Sequence, residues 1–479
     1  MHAQNTASST SVFVLDVGKR FLKFSFVGLV ILGTSIATAF EATHMWVEHN
    51  SLAPEKDEEI KKWQWDLGAE HWTGDPVKGG TDPGLGIKGR HMLRAAWMAY
   101  NWGVGSGAAA TGTDSEPGRS GANIIHIIDA RIQRAEVFLR NALYFAEASS
   151  SKLHSHTLPQ ILTLHAAMLE NLGTALLPDS RIAYERAWAG LSGKGLFAAQ
   201  VAEKVGEVCS RLGLGNEAVE WWKRAIQLST EEKYNRTYDE DIHVPQTAPA
   251  SPLGQRILAK SLVALSAYYA QSGQLSKAQS VEENALDLIR SIPQPSSLAS
   301  ASPPQALHAL FLLQRSSLLS IHLAEVIYAR RKSQVTCMQY LTAAAESSER
   351  VARVLVGLSP HGADEFNLHN PIPVEKSQLS AVYTSSSSMN KAAKGLLRDS
   401  LRTAAEAWNL LGILHEEREG PGSKTSLGCF QRAVGWAGVP TTEDPSIRTA
   451  AEGILKAEWN VFWGNYTRAK HAAERQTKK

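Results

Sequence analysis

From residue 87 to residue 474, apolar side chains recur every three or four residues in one segment after another, and no convincing run alternates with the period of two of a half-buried strand. Helical spacing covers 87–102, 123–148, 158–177, 196–212, 217–228, 255–271, 275–289, 305–331, 336–356, 390–417, 426–436 and 445–474. A chain that must bury so many apolar stripes without a sheet stacks helix on helix, so the expected fold is all-α. Pro-, Gly- and Ser-rich stretches beginning at 103, 239, 291 and 358 interrupt this pattern. Because the helical period resumes after each, they read as loops and insertions within one array rather than as domain boundaries.

Ahead of the array, residues 24–40 (FSFVGLVILGTSIATAF) carry no charge. With Phe21, Leu22 and a snorkelling Lys23 the stretch approaches the ~20 residues that span a hydrocarbon core. It is read as one transmembrane helix over 24–42, behind an N-terminal tail of 1–23. Lys19, Arg20 and Lys23 precede it, whereas Glu41, Glu48, Glu55, Asp57, Glu58 and Glu59 follow. The positive-inside rule then leaves the tail in the cytosol or the mitochondrial matrix and puts the body across the membrane. Ala37-Thr38-Ala39 also has the form of a signal-peptide cleavage site, but the long stretch before the apolar core and the absence of paired cysteines favour an anchor. The Ser/Thr-rich, acid-poor start is compatible with a mitochondrial targeting segment. An endoplasmic-reticulum anchor is the alternative, and only there would the sequons at Asn235 and Asn465 be used.

Composition and motifs narrow the function classes. The 49 basic and 47 acidic residues leave a net charge of +2, too little to draw the chain to nucleic acid. Cys209, Cys337 and Cys429 are far apart and sit among helix formers, so they read as small buried apolar side chains, not as a disulfide framework or a zinc site. Residues 84–89 fit G-x-G-x-x-G but follow Asp82-Pro83 instead of a strand, which makes them a turn before a helix. The pair His154 and His156 lacks a third metal ligand at usable spacing. No P-loop, H-E-x-x-H or G-x-S-x-G occurs. The expectation is a protein that is not an enzyme, with no cofactor, metal or small-molecule substrate.

Internal repeats say more. Within 199–232, Ala202, Val205, Gly206 and Cys209 are followed by Gly213, Ala218, Trp222 and Ala225. Within 259–292 the same register gives Leu262, Leu265, Ser266, Tyr269, Gly273, Ala278, Ala285 and Leu286. Trp408, Leu411 and Gly412 begin a third copy, completed after a two-residue insertion by Ser426, Phe430 and Ala433. Weaker copies are Leu169, Leu172 and Gly173 with Ala183; Ile321, Ala324, Tyr328, Cys337 and Ala344, without the glycines; and Ala135, Leu139 and Ala142. This spacing resembles the tetratricopeptide repeat, in which ~34 residues form two antiparallel helices with small residues where they cross.

The resemblance implies a degenerate TPR-like α-solenoid of antiparallel helix pairs over 87–475, with Gly206 and Ala218 at a close crossing and Trp222, beside Trp221, as core. In that family the first helix of each repeat lines a concave groove that captures a peptide or helix of a partner. Carried over where the motif matches, the groove residues are Gln200, Glu203, Glu207 and Arg211; Lys260, Val263 and Gln271; and Glu406, Asn409, Ile413 and Glu416. With no run of Lys or Arg, the set does not resemble a carboxylate clamp.

Six of the thirteen tryptophans, Trp46, Trp63, Trp65, Trp72, Trp97 and Trp102, fall between 46 and 102. Trp46 is placed for an interfacial belt. In the juxtamembrane region, 43–86, Trp63, Trp65 and Trp72 are expected to cover the open apolar face at the start of the array, with docking onto a membrane partner as the alternative. An anchor, an acidic Trp-rich stretch and a degenerate repeat body together look like the fungal adaptor subunit of the mitochondrial inner-membrane i-AAA protease. That family implies a matrix N-terminus, repeats in the intermembrane space, and a role in recruiting unfolded substrates to the AAA protease. A TPR assembly factor for a respiratory-chain complex and a secretory-pathway TPR scaffold in the endoplasmic-reticulum membrane are the alternatives.

Overall fold

The computed structural model describes residues 4–68, 72, 79–103, 110–113, 125–128, 130–191, 195–230, 244–298, 300–358, 378–438 and 458–477. In chain order these form α1 (Gln4–Trp46), α2 (Glu58–Lys62), α3 (Trp65–Gly68), α4 (Gly86–Trp102), β1 (Ala110–Thr113), β2 (Ile125–Ile128), α5 (Ala130–Ala148), α6 (Thr157–Leu172) and α7 (Leu177–Gly190). There follow α8 (Gly195–Arg211), α9 (Gly215–Thr230), α10 (Pro252–Gln271), α11 (Leu275–Ser291), α12 (Pro303–Ala329), α13 (Gln334–Leu355), α14 (Ala381–Thr384), α15 (Ser387–Glu419), α16 (Lys424–Trp436) and α17 (Glu458–Thr477).

The fold is helical, as expected, with one addition. Ile125–Ile128 pairs antiparallel with Ala110–Thr113, so the helix expected over 123–148 starts only at Ala130. Three isoleucines in four residues favour an extended backbone, which the helical spacing concealed. The segment 158–177 is also not one helix. It breaks at Gly173, whose φ of +138° suits glycine alone. Of the segment 445–474, residues 445–457 lie outside the described residues.

Two compact units interleave along the sequence: Met1–Pro54 with Trp72–Leu172, and Glu55–His71 with Gly173–Lys479. These units cut across the expected segments 43–86 and 87–475: the first segment is shared between them and the second is divided after Leu172. The weak pairing of Leu169 and Leu172 with Ala183 is divided as well: α6 packs on α5 in one unit and α7 on α8 in the other.

In the first unit, the stretch from Val17 to Ser51 holds a window of 18 residues apolar enough to span a membrane, none of it buried, whereas His44, Val47 and Glu48 near its end are buried. Its C-terminal end is tied to α4 by Glu48, which accepts from the Thr81 N–H at 2.8 Å and from Arg90 at 2.9 Å. Asp82, just ahead of α4, accepts from the backbone N–H groups of Gly84 and His154 and from the Thr157 hydroxyl, so one carboxylate joins the starts of α4 and α6. The G-x-G-x-x-G stretch is a 3₁₀ turn followed by the first turn of α4, and a Cβ at Gly89 would lie 3.2 Å from Phe145 Cβ of α5. It is packing, not a phosphate cradle.

In the second unit the repeats form as read. Helices α8 and α9, α10 and α11, α12 and α13, and α15 and α16 pack as consecutive pairs. A Cβ on Gly206 would come 2.6 Å from the Trp222 ring, and one on Gly412 2.6 Å from Phe430, so these glycines let a large ring of the second helix lie on the first. Gly206→Ala is expected to cost about 1–3 kcal/mol through overpacking, read as a lowered denaturation midpoint at constant m-value. Gly213 and Gly273 turn the chain at φ near +77°. The copy without glycines does the same with Arg331 at φ +53°. Trp222 is 2 % exposed, and Trp221 meets Trp188 edge-on at 5.1 Å under the guanidinium of Arg224, so both rings are occupied by their own chain. The three cysteines are buried. Glu349 of α13 is buried beneath α15 and α16, accepting from the indole N–H of Trp408 (2.6 Å) and of Trp436 (2.7 Å) and from Arg432 (3.0 Å). The other helix apolar enough to span a membrane, Pro303–Ala329, is mostly buried and packs against α10, α11, α13 and α15 as a core helix.

Candidate protein-binding face

The first helices of the four pairs stand side by side: α8 touches α10, α10 touches α12, and α12 touches α15. The second helices back them. This inner row follows from the repeat spacing, since each first helix needs one stripe for its own partner and one for the next repeat, leaving a third to face outward.

At its α8–α10 end the carried-over residues come together. Gln200 and Glu207 are half-buried and Glu203 is buried. Glu207 pairs with Lys204 at 2.7 Å. Although burial opposes it, Lys204, Lys260 and Arg211 hold the Glu207 carboxyl below its ordinary range. Lys260 feels Glu203 most strongly, yet burial and the nearby Lys204 and Arg315 hold its ammonium below the usual lysine range. Val263 is half-buried beside it, while Arg211 and Gln271 are exposed at the ends of their helices.

At the α12–α15 end the picture departs from the expectation. Glu406 is half-buried and Ile413 exposed. Asn409 is buried and accepts from Asn465 Nδ2 at 2.9 Å, and Glu416 pairs with Arg468 at 2.7 Å. Both partners belong to α17, so these two residues serve the fold's own last helix and are not open to a partner. The Asn465 amide nitrogen, to which a glycan would be joined, is engaged in the same contact. Asn235 lies outside the described residues.

Helix α12 supplies what the sequence reading missed. Arg315 pairs with Asp399 of α15 at 3.2 Å. Burial pushes His322 down to about 4, and its Nδ1 has no hydrogen-bond partner among the described residues. Glu325 is exposed to solvent, yet enough protein surrounds it that burial, helped by Glu406, raises its carboxyl to about 7. His322 is half-buried and Glu325 exposed on α12, which packs between α10 and α15 in the row. No residue of α12 was carried over because this copy lacks the marker glycines. Its Ile321, Ala324 and Tyr328 nevertheless fix the register that brings His322 and Glu325 onto the inner row.

Behind Glu325, on α11, Glu282 is fully buried, and neither of its oxygens has a hydrogen-bond partner among the described residues. Burial first, then Glu325 and Glu283, raise its carboxyl from 4.5 to about 9. The folded chain therefore holds a proton that the unfolded chain releases across that interval. The contribution to stability is fullest at the acid end and falls as pH rises toward 9. Glu282→Gln, which cannot ionise, is expected to gain about 1–3 kcal/mol near pH 8 and almost nothing near pH 4, read as paired thermal melts.

Trp63 and Trp65 do not cover the start of the array, whereas the buried Trp72 packs against α4, its first helix. Trp63 and Trp65 lie in a strap, residues 55–68, that crosses the N-terminal ends of three inner helices. Glu55 accepts from Ser386 and Ser388 at the start of α15. Glu59 accepts from Ser302, the N-cap of α12. Gln64 Oε1 accepts from Ser251 and the Leu253 N–H at the start of α10. The Trp65 indole donates to the Pro304 carbonyl at 2.9 Å. Arg256 stacks 3.9 Å over the Trp65 ring and donates to the carbonyls of Trp63 and Gln64. Burial brings the Arg256 guanidinium down to about 9. Trp72 belongs to the first unit, where its ring lies 6.2 Å from Tyr100.

Among the described residues no three His, Cys, Asp or Glu side chains gather as metal ligands. No family model matches the chain, and no curated protein does. Solved structures similar to it include a circular tandem repeat protein with novel repeat topology and enhanced subunit contact surfaces, 12% identical, covering 72% of this chain and 67% of that one at a TM-score of 0.22. A monomeric mutant of IFIT1 with m7Gppp-AAAA is 11% identical, covering 80% of each chain at a TM-score of 0.21. Likenesses this distant add nothing to what the helices themselves establish.

Proposed function

We propose that the chain is a membrane-anchored protein-binding adaptor without catalytic activity, whose inner helical row receives a segment of a partner protein. The observation that carries this is the row α8, α10, α12 and α15, which bears the half-buried Glu207, Lys260 and His322 and the exposed Glu325. Charged and polar side chains held half-desolvated in this way bind more strongly than the same groups on a convex surface, because less water must be removed when the partner arrives.

In its finer form the reading is an inner-membrane anchor with the N-terminus in the matrix and the body in the intermembrane space. The partners are then a hexameric i-AAA protease and the unfolded proteins passed to it. The flanking charges of α1 and the Trp-rich acidic stretch support this form. The assembly-factor reading shares the anchor and the repeats and differs in binding one respiratory complex. The secretory-pathway reading is weakened by the engagement of Asn465.

A C-terminal tag in isolated mitochondria tests the proposal. It should resist protease until the outer membrane is ruptured, stay in the pellet on carbonate extraction, and copurify with an AAA protease together with many client proteins. Recovery with a single respiratory complex would replace the adaptor by the assembly factor. A glycosylated protein absent from mitochondria would sink both.

A further inference from the structure

We infer that α4 is a second membrane-contacting element, resting in the headgroup layer beside the anchor with an anionic bilayer surface as its partner. The inference depends on reading α1 as a transmembrane helix. Phe40 is the last residue of the uncharged stretch, and its ring stacks on that of His91 in α4, with centroids 5.8 Å apart and planes 11° apart. His91 Nε2 lies 2.9 Å from the Glu41 carboxylate, and its ring is 4.6 Å from that of His44, one turn after Phe40. Helix α4 is thus fixed where the apolar stretch ends. A helix with its side chains is about 10–12 Å across, and the polar layer on each side of a bilayer is roughly 5–8 Å thick. An element touching Phe40 therefore lies in or against that layer.

The surface of α4 suits the location. Gly86–Trp102 contains Lys88, Arg90 and Arg94 and no Asp or Glu. Arg90 and Arg94 are turned onto Glu48, leaving Lys88 exposed at the first turn. Ile87 beside it is 77% exposed. Beyond the other end, Trp46 and Trp102 are each about half exposed and form a chain of rings with Trp97, at 5.7 and 5.4 Å. Exposed isoleucine, clustered tryptophan and lysine without acid are the residue types that settle at a membrane interface. Lys88, exposed at the first turn, favours anionic headgroups.

The test uses the full chain reconstituted into vesicles of phosphatidylcholine with phosphatidylglycerol. Single nitroxides are placed through Ile87→Cys, Trp102→Cys, Leu29→Cys on the anchor, and Asp287→Cys on α11. Positions 29, 87 and 287 are strongly exposed in the fold, and the native cysteines are buried, so labelling at these three leaves the packing intact, while Trp102→Cys removes the ring contacts with Trp46 and Trp97. Collision rates with oxygen and with a polar nickel chelate report depth. The oxygen-to-nickel ratio at 87 and 102 should be several-fold above that at 287 and below that at 29, and should drop at 87 in vesicles without phosphatidylglycerol. Water-like ratios at 87 and 102 with a hydrocarbon ratio at 29 would overturn the inference and leave the anchor standing. Shielding of 87 and 102 from both reagents, the mark of protein burial, would overturn it too. A water-like ratio at 29 would remove the anchor itself.

Discussion

Glu349→Ala should destabilise the second unit by about 3–5 kcal/mol, the cost of removing one partner from a buried ion pair. The carboxylate accepts from two indole N–H groups and from Arg432, and the guanidinium also lies 3.8 Å over the Trp408 ring. Alanine would leave two buried indole donors unpaired and strand a guanidinium between α13, α15 and α16. Glu349→Gln keeps the shape and one acceptor and should lose less. Urea unfolding followed by circular dichroism measures both. A loss below about 1 kcal/mol for the alanine variant would mean that water reaches Arg432 once the carboxylate is gone.

Trp65→Ala should cost about 3–5 kcal/mol as a buried large-to-small change, and its distinguishing sign is local. The ring fills the space under Arg256, and its N–H holds the start of α12. Without it the strap should exchange its amide hydrogens faster and become open to limited proteolysis near residues 55–68, with α10 following because Gln64 caps it. Lys62→Ala, which touches only the exposed carboxylate of Glu59, should change stability by less than about 0.5 kcal/mol. If Trp65→Ala melted the unit without first loosening the strap, the strap would be an inseparable part of the core.

The repeat pairs were legible because their signals are local. Gly206 and Trp222, or Gly412 and Phe430 after the two-residue insertion, lie within one hairpin, and their place in the repeat says which ring lies on which glycine. The strap was not legible. Trp63 and Trp65 announce that something large must be buried, but their partners Arg256 and Pro304 are 193 and 239 residues away, and no periodicity links such positions. The candidate face was half legible for the same reason. Glu203, Glu207 and Lys260 carry the repeat register into α8 and α10, whereas the covering of Asn409 and Glu416 depends on α17, which belongs to no repeat. His322 and Glu325 stayed hidden because Arg331 takes the left-handed turn elsewhere given to glycine, so the copy looked weaker than it is.

The strap also fixes an order of events during synthesis. Arrays of helical hairpins ordinarily fold from neighbour to neighbour as they emerge. Here the first segment of the second unit must wait for α10, then α12, and last α15: Glu55 meets Ser386 across 331 residues. At ribosomal speeds of about 5–20 residues per second that wait is on the order of 15–70 s. Trp63 and Trp65 have no site to enter until Arg256 and Pro304, 193 and 239 residues further on, have emerged. A bound chaperone has that interval in which to hold them, and closure of the strap marks the completion of the inner row.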